Sequence, residues 1–392
     1  MNIKKWIKAL SRSTLGVLLL GMVIGCPGIL HAKSPLKLGV NLDMTGYAAW
    51  LGEPEIRAIQ LFVEQLNGKG GIDGHPIELV IYDNESNPEK SASIAKKLVQ
   101  RDNVTAMIAT AITATSNAAK PVAQEAKVVM YSLSGSFEPS FADSFCFATW
   151  VHTSGMVETI YDYFKKKGIS RVATLCATDS TGQTWFDETN NAAKKYGFEI
   201  ASERFNVKDM DVTSQLAKLK SINPQALIVG VSGKPNAVVA KNFNQMGFKI
   251  PYVTGHGNIS ESFLKLMEGN EPEVLLLPGA YYIVWKEVPD TYPQKRLMQE
   301  FDDAFQKKFK KEADVYAVVA YDAVRIIAEG MKRVKPQGPK DSVRLRDAIE
   351  EIKGFPAVYG GTYTFNKQDH RGIHKDAALM LQVKGGRFVM AK

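Results

Sequence analysis

Val104-Thr-Ala-Met-Ile-Ala109 with Thr110, Thr113, Thr115 and Ser116 after it, then Val128-Val-Met-Tyr131 with Ser132-Leu-Ser-Gly-Ser136 after it, decide the reading of this chain. Both apolar runs have the length of buried strands, and each ends in small hydroxyl residues. Between them Ala118 to Ala126 has helical spacing, with Thr115 or Ser116 as the expected N-cap. Strand, helix, strand in that order predicts a parallel pair whose turns lie side by side at the carboxyl edge, where such sheets bind ligands. Hydroxyls, free backbone N–H groups and a helix N-terminus there favour an anion such as a carboxylate. The alternative is that they are ordinary capping residues.

Strands and helices alternate on both sides of this stretch. Leu36 to Asn41 reads as a strand, and Asp43 to Gly52 as a turn-rich loop holding Tyr47 and Trp50. Pro54, a favoured first helical residue, is expected to open a helix with Ile56, Ile59, Val63 and Leu66 as its apolar stripe. Ile77 to Tyr82 is a strand, and Asp83 to Pro88 caps a helix running to about Gln100. A second βα run extends from Met156 to Met267, and helices are expected over Gln294–Lys310, Asp314–Met331 and Ser342–Ile352. Such alternation predicts an α/β protein with parallel sheets.

The 392 residues are 45% hydrophobic and 23% charged, enough for two cores. Lys4, Lys5 and Lys8, the apolar run Leu15–Ile24 and Leu30-His-Ala32 predict an export signal over residues 1–32. No run reaches the ~20 apolar residues of a membrane span. The mature chain would be periplasmic, or, if Val23-Ile-Gly-Cys26 acts as a lipobox, anchored through a lipidated Cys26. Removing the signal lowers the formal charge from +8 to +4, and no basic tract points to nucleic acid. Cys176 lies in the apolar run Val172–Cys176 and is expected as a buried thiol; pairing with Cys146 stays open. No metal-ligand spacing, cofactor motif or GxSxG elbow appears, so neither a metalloprotein nor an enzyme is expected.

Asn67-Gly-Lys-Gly-Gly-Ile-Asp-Gly74, Tyr82-Asp83 and Asn87-Pro88, followed in order by Pro121-Val-Ala and the Ser132–Ser136 turn, resemble the leucine/isoleucine/valine-binding protein family. Those are extracytoplasmic receptors of ABC importers. The resemblance implies a two-lobed type I periplasmic-binding-protein fold, each lobe a mostly parallel sheet flanked by helices, with three hinge crossings. Residues 33–150 and 282–355 would form one lobe, and 151–281 and 356–392 the other. Gly361–Phe365, Ala377–Val383 and Arg387–Met390 would be strands of the second lobe. A monomer that hands a small carboxylate to a membrane permease is the implied partnership; a sensing partner remains the other possibility.

By the same resemblance Thr113, Ser134 and Ser136 would hold the ligand's carboxylate. In the second lobe an acid commonly pairs with an amino acid's ammonium, but this chain has His256 there and Ser232 at the preceding strand end. That departure predicts an organic acid without an α-ammonium, with an amino acid as the alternative if another acid substitutes. Tyr47, Trp50, Trp150 and Tyr316 are expected to face the cleft, with Trp50 and Trp150 sandwiching the ligand body from polar loops. Asp322 and Arg371 read as lone charges of a solvated pair or of the hinge.

Overall fold

The computed structural model describes residues 33–392; the expected export signal and Cys26 lie outside the described residues. The first sheet is built from β1 (Leu36–Leu42), β2 (Ile77–Asp83), β3 (Ala106–Ala109), β4 (Val129–Ser132) and β5 (Cys146–Ala148). Its order is β2-β1-β3-β4-β5 with every pair parallel, so β3 and β4 lie side by side as their sequences require. Helices α1 (Ala49–Gly68), α2 (Pro88–Gln100) and α3 (Thr113–Ala126) make the crossovers.

A second sheet takes β6 (Arg171–Ala177), β7 (Glu199–Phe205), β8 (Ala226–Gly230), β9 (Tyr252–Thr254) and β10 (Leu275–Ala280), again parallel, connected by α5 (Ser180–Tyr196), α6 (Thr213–Ser221), α7 (Lys234–Gln245) and α8 (Glu261–Met267). α4 (Thr153–Lys166) leads into it from the first sheet. The late strands β13 (Ala378–Lys384) and β14 (Arg387–Met390) then extend the β10 edge antiparallel, making seven strands. Helices α9 (Lys295–Phe309), α10 (Val315–Val334) and α11 (Ser342–Glu350) return to the first layer, where α10 packs on α1 and α11 on β4. The chain is thus an α/β protein of two lobes.

Three local expectations are corrected. α1 starts at Ala49, five residues before Pro54, because its opening turn closes with a tight Leu51 N–H to Ala48 bond of 2.9 Å. Pro54 therefore lies inside the helix, and Trp50 is a helical residue rather than a loop residue. α3 starts at Thr113 with Ile112 at the cap; Thr115 and Ser116 are buried within its first turn and cap nothing. Residues 361–365 do not join the second sheet: β12 (Thr362–Tyr363) pairs only with β11 (Phe355–Pro356) in a separate ribbon.

That ribbon is fastened by Asp322, which is no solvated charge. It is fully buried on α10 and accepts hydrogen bonds from the Val358 and Tyr359 backbone at 3.1 and 3.0 Å and from Arg325 at 2.6 Å. Burial raises its pKa in spite of these partners. Both cysteines are free and buried, so no disulfide joins Cys146 to Cys176, and desolvation pushes their thiols up to about 12 and 11. Asp322→Ala should cost ~3–5 kcal/mol in urea denaturation, since it strands Arg325 and two buried N–H groups; a loss below ~1 kcal/mol would contradict this role.

Candidate functional site

In each sheet the strand order reverses once, at β1/β3 in the first and at β6/β8 in the second. Crevices open at such reversals, outside the carboxyl ends of the strands. Residues from the two reversals meet here: Thr113, after β3, comes within 3.4 Å of Thr181, after β6.

On the first lobe, Thr113 at the head of α3 shares a hydrogen bond of 2.8 Å with Ser134 in the turn after β4. A second layer of hydroxyls holds these turns together. Ser116 donates to the Thr110 carbonyl at 2.8 Å, Ser132 donates to Ser116 at 2.8 Å, and the Ser134 backbone N–H donates to Ser132 at 3.1 Å. Ser116 and Ser132 are thus internal braces, while Thr113 and Ser134 stand at the cleft end of the chain of bonds. Ser136, in the same turn, shares a bond of 3.0 Å with Thr153 at the start of α4.

On the second lobe, the loops after β8 and β9 are braced by two buried asparagines. Asn258 donates to the Val231 carbonyl and the Thr254 hydroxyl and accepts from the Gly233 N–H, while Asn236 donates to Val231 as well. Ser232 lies against Gly257, where an added Cβ would meet the Ser232 hydroxyl at 2.8 Å. His256 is not a solvent-facing turn residue: it is buried, its ring 5.0 Å from that of Trp150 and 5.8 Å from that of Trp185.

The lobes touch through these same groups. Thr113 reaches Thr181 of α5 at 3.4 Å, Tyr316 donates to the Gly257 carbonyl, and Trp50 lies alongside Gly233. At Gly135, between Ser134 and Ser136, a Cβ would sit 2.1 Å from His256 Nε2. Interlobe contacts of this kind make the described form a closed one.

The aromatic expectation is corrected in detail. Trp50 and Trp150 do not sandwich an open slot, because Tyr316 stands between them, edge-on at 5.4 and 5.5 Å. Tyr47 is 76% exposed and stands outside the cluster. Trp185, Thr181 and Gly135 were not singled out from sequence; only the glycine, inside Ser-Gly-Ser, carried a local signal.

Titratable groups flank the cleft, and burial holds them toward their neutral forms. Burial pushes His256 down to about 3, lowered further by its coupling to His152 and by the Arg371 charge; His152 is held at about 3 by burial and then Arg371. Both imidazoles are neutral at pH 7, and His256 Nδ1 has no hydrogen-bond partner among the described residues. On the α1 side, Asp43 and Glu55 are fully buried, with only Asn84 near the first carboxyl and the Ala111 backbone near the second as polar neighbours. Desolvation pushes Asp43 up to about 7 and Glu55 well above its usual range, and Glu55 acts in turn on Tyr316.

A histidine that refuses a proton when folded makes stability fall as pH drops, because the unfolded chain takes that proton below about 6.5. His256→Asn should therefore flatten the decline in denaturation free energy between pH 6.5 and about 3, the value to which the folded ring is pushed. Equal slopes in variant and wild type would contradict a neutral buried ring.

Comparison with known proteins places this geometry. A family model described as a periplasmic binding protein matches residues 35–387. The Pseudomonas aeruginosa leucine-, isoleucine-, valine-, threonine- and alanine-binding protein is 22% identical over 325 residues, covering 81% of this chain and 83% of that one. An extracellular ligand-binding receptor from Rhodopseudomonas palustris superposes with a TM-score of 0.82 at 23% identity, over 91% of this chain and 99% of that one. A branched-chain amino acid transporter substrate-binding protein from Streptococcus pneumoniae, solved with isoleucine, does so at 0.76 and 24% identity, over the same 91% and 99%. These relatives are binding proteins rather than enzymes, and the chain, two-lobed with its strand ends apposed, belongs to the periplasmic binding protein family.

Proposed function

We propose that the chain is the extracytoplasmic receptor of an ABC importer, closing its lobes over a small α-amino acid. The observation that carries it is the Thr113–Ser134 hydroxyl pair, 2.8 Å apart at the first sheet's reversal and opposed by His256 across the cleft. Those hydroxyls and the N-terminus of α3 suit a carboxylate, each such charge-assisted bond contributing ~1.5–3 kcal/mol when dry. Ser136, Ser232, Trp50, Trp150 and Tyr316 would complete the walls.

His256 does not stand against an ammonium, as the sequence suggested. A neutral imidazole keeps one lone pair, which accepts an ammonium N–H. On the Tyr316 side burial holds the Asp43 and Glu55 carboxyls toward their neutral forms. The relatives named for leucine, isoleucine and valine support the same ligand class. Residues 33–150 with 282–355 and 151–281 with 356–392 would be the two closing bodies, acting as a monomer exported by the N-terminal signal. Delivery to a permease follows from the resemblance.

A second reading, an organic acid without an ammonium, is favoured by one observation: the standing charge that acts on His256 is that of Arg371, and no carboxylate acts on it. A thermal-shift panel separates the two. Leucine, isoleucine or valine should raise the melting temperature by mass action, well above 4-methylpentanoate or benzoate. Stabilisation by the simple acids alone would replace the first reading with the second. Thr113→Ala should weaken the ligand found by ~1.5–3 kcal/mol in calorimetry, and wild-type affinity would move the carboxylate elsewhere.

A further inference from the structure

Arg371 is buried beside the cleft, in the segment between β12 and β13, and no carboxylate among the described residues pairs with its guanidinium. Its two terminal nitrogens donate to main-chain carbonyls instead: Nη1 to Trp150 at 2.8 Å and Nη2 to Phe137. Phe137 immediately follows the Ser134–Ser136 turn, and Trp150 packs on His256. The fork thus spans the hydroxyl turn of the first lobe and the aromatic wall of the cleft.

Nearby acids are committed elsewhere. Asp369 accepts the Arg371 and Gly372 backbone N–H groups at 3.0 Å each and pairs with His374 at 2.9 Å. Glu138 accepts the Ser140 N–H at 2.7 Å. Withdrawing an arginine from water without a bonded carboxylate costs several kcal/mol, and such a cost is usually offset by a counterion. The cleft is where that charge is felt: it helps keep His152 and His256 neutral.

We propose that Arg371 is the positioning and charge-selecting residue of the cleft: it fixes the Ser134–Ser136 turn against Trp150, and its unpaired charge makes the site prefer a carboxylate to an uncharged group of the same shape. This rests on the cleft being the ligand site, and it holds for an amino acid and for an organic acid alike. Selection comes from the net positive field at the hydroxyl turn, which a carboxylate satisfies and a carboxamide does not.

The experiment uses four probes on the mature protein: l-leucine, leucinamide, 4-methylpentanoate and 4-methylpentanamide, at matched ionic strength, by thermal shift and calorimetry. The acid-against-amide comparison tests Arg371; the comparison with and without the amino group tests the ligand class proposed above, so either can fail alone. In wild type at least one acid should bind about tenfold or more tighter than its amide, the worth of one charge-assisted bond. Arg371→Gln should collapse that ratio, and Arg371→Lys, which keeps the charge and loses the fork, should retain the ratio while binding both members of the pair more weakly. Circular dichroism checks folding, and if Arg371→Gln does not fold, the lysine variant decides. Acid and amide alike in wild type, an undiminished ratio in a folded Arg371→Gln, or a ratio lost in Arg371→Lys would overturn the proposal.

Discussion

The closed arrangement depends on a missing atom. Gly135 has no Cβ, and the His256 ring occupies the space one would need, 2.1 Å from Nε2. The ring cannot easily step aside, because Trp150 and Trp185 pack on it and it is itself buried. Around this point of closest approach the other interlobe contacts assemble: Thr113 to Thr181, Tyr316 to the Gly257 carbonyl, Trp50 to Gly233. Each comes from a residue already placed by a strand end or a helix start, so closure needs rigid-body movement and no refolding.

Charge is distributed across the cleft in a way that no single residue reveals. Arg371 and two neutral histidines lie by the hydroxyl turn, while Asp43, Glu55 and Asp314 lie behind Trp50 and Tyr316. Burial acts on both groups in the same sense, discouraging their charged forms. What remains is the Arg371 charge on the side of the hydroxyl turn, while burial holds the acids on the other side toward their neutral forms.

Much of this was legible in the sequence. The parallel pairing of β3 and β4, the hydroxyl turns and the alternation of elements all follow from short-range patterns, and the order of motifs led to the family. What was not legible depends on partners distant in the chain. Pro54 is a strong local signal for a helix start, yet the turn from Ala48 to Leu51 overrides it. Thr115 and Ser116 look like caps, but β4 brings Ser132 to Ser116 and turns the hydroxyl inward. His256 in Gly-His-Gly resembles an exposed turn until Trp150 and Trp185 close over it. Arg371 and Asp322 looked like solvated charges because nothing local announces burial; Asp322 is held by backbone N–H groups from another segment, and Arg371 by carbonyls.

Small-angle scattering on wild type and Gly135→Ala tests the closing contact most directly, since the backbone at 135 is not in the left-handed region and alanine should not disturb either lobe by itself. At a ligand concentration that saturates the wild type, the wild-type radius of gyration should fall and that of Gly135→Ala should stay at its ligand-free value. Equal compaction of the two proteins would show that the lobes do not close through Gly135 and His256.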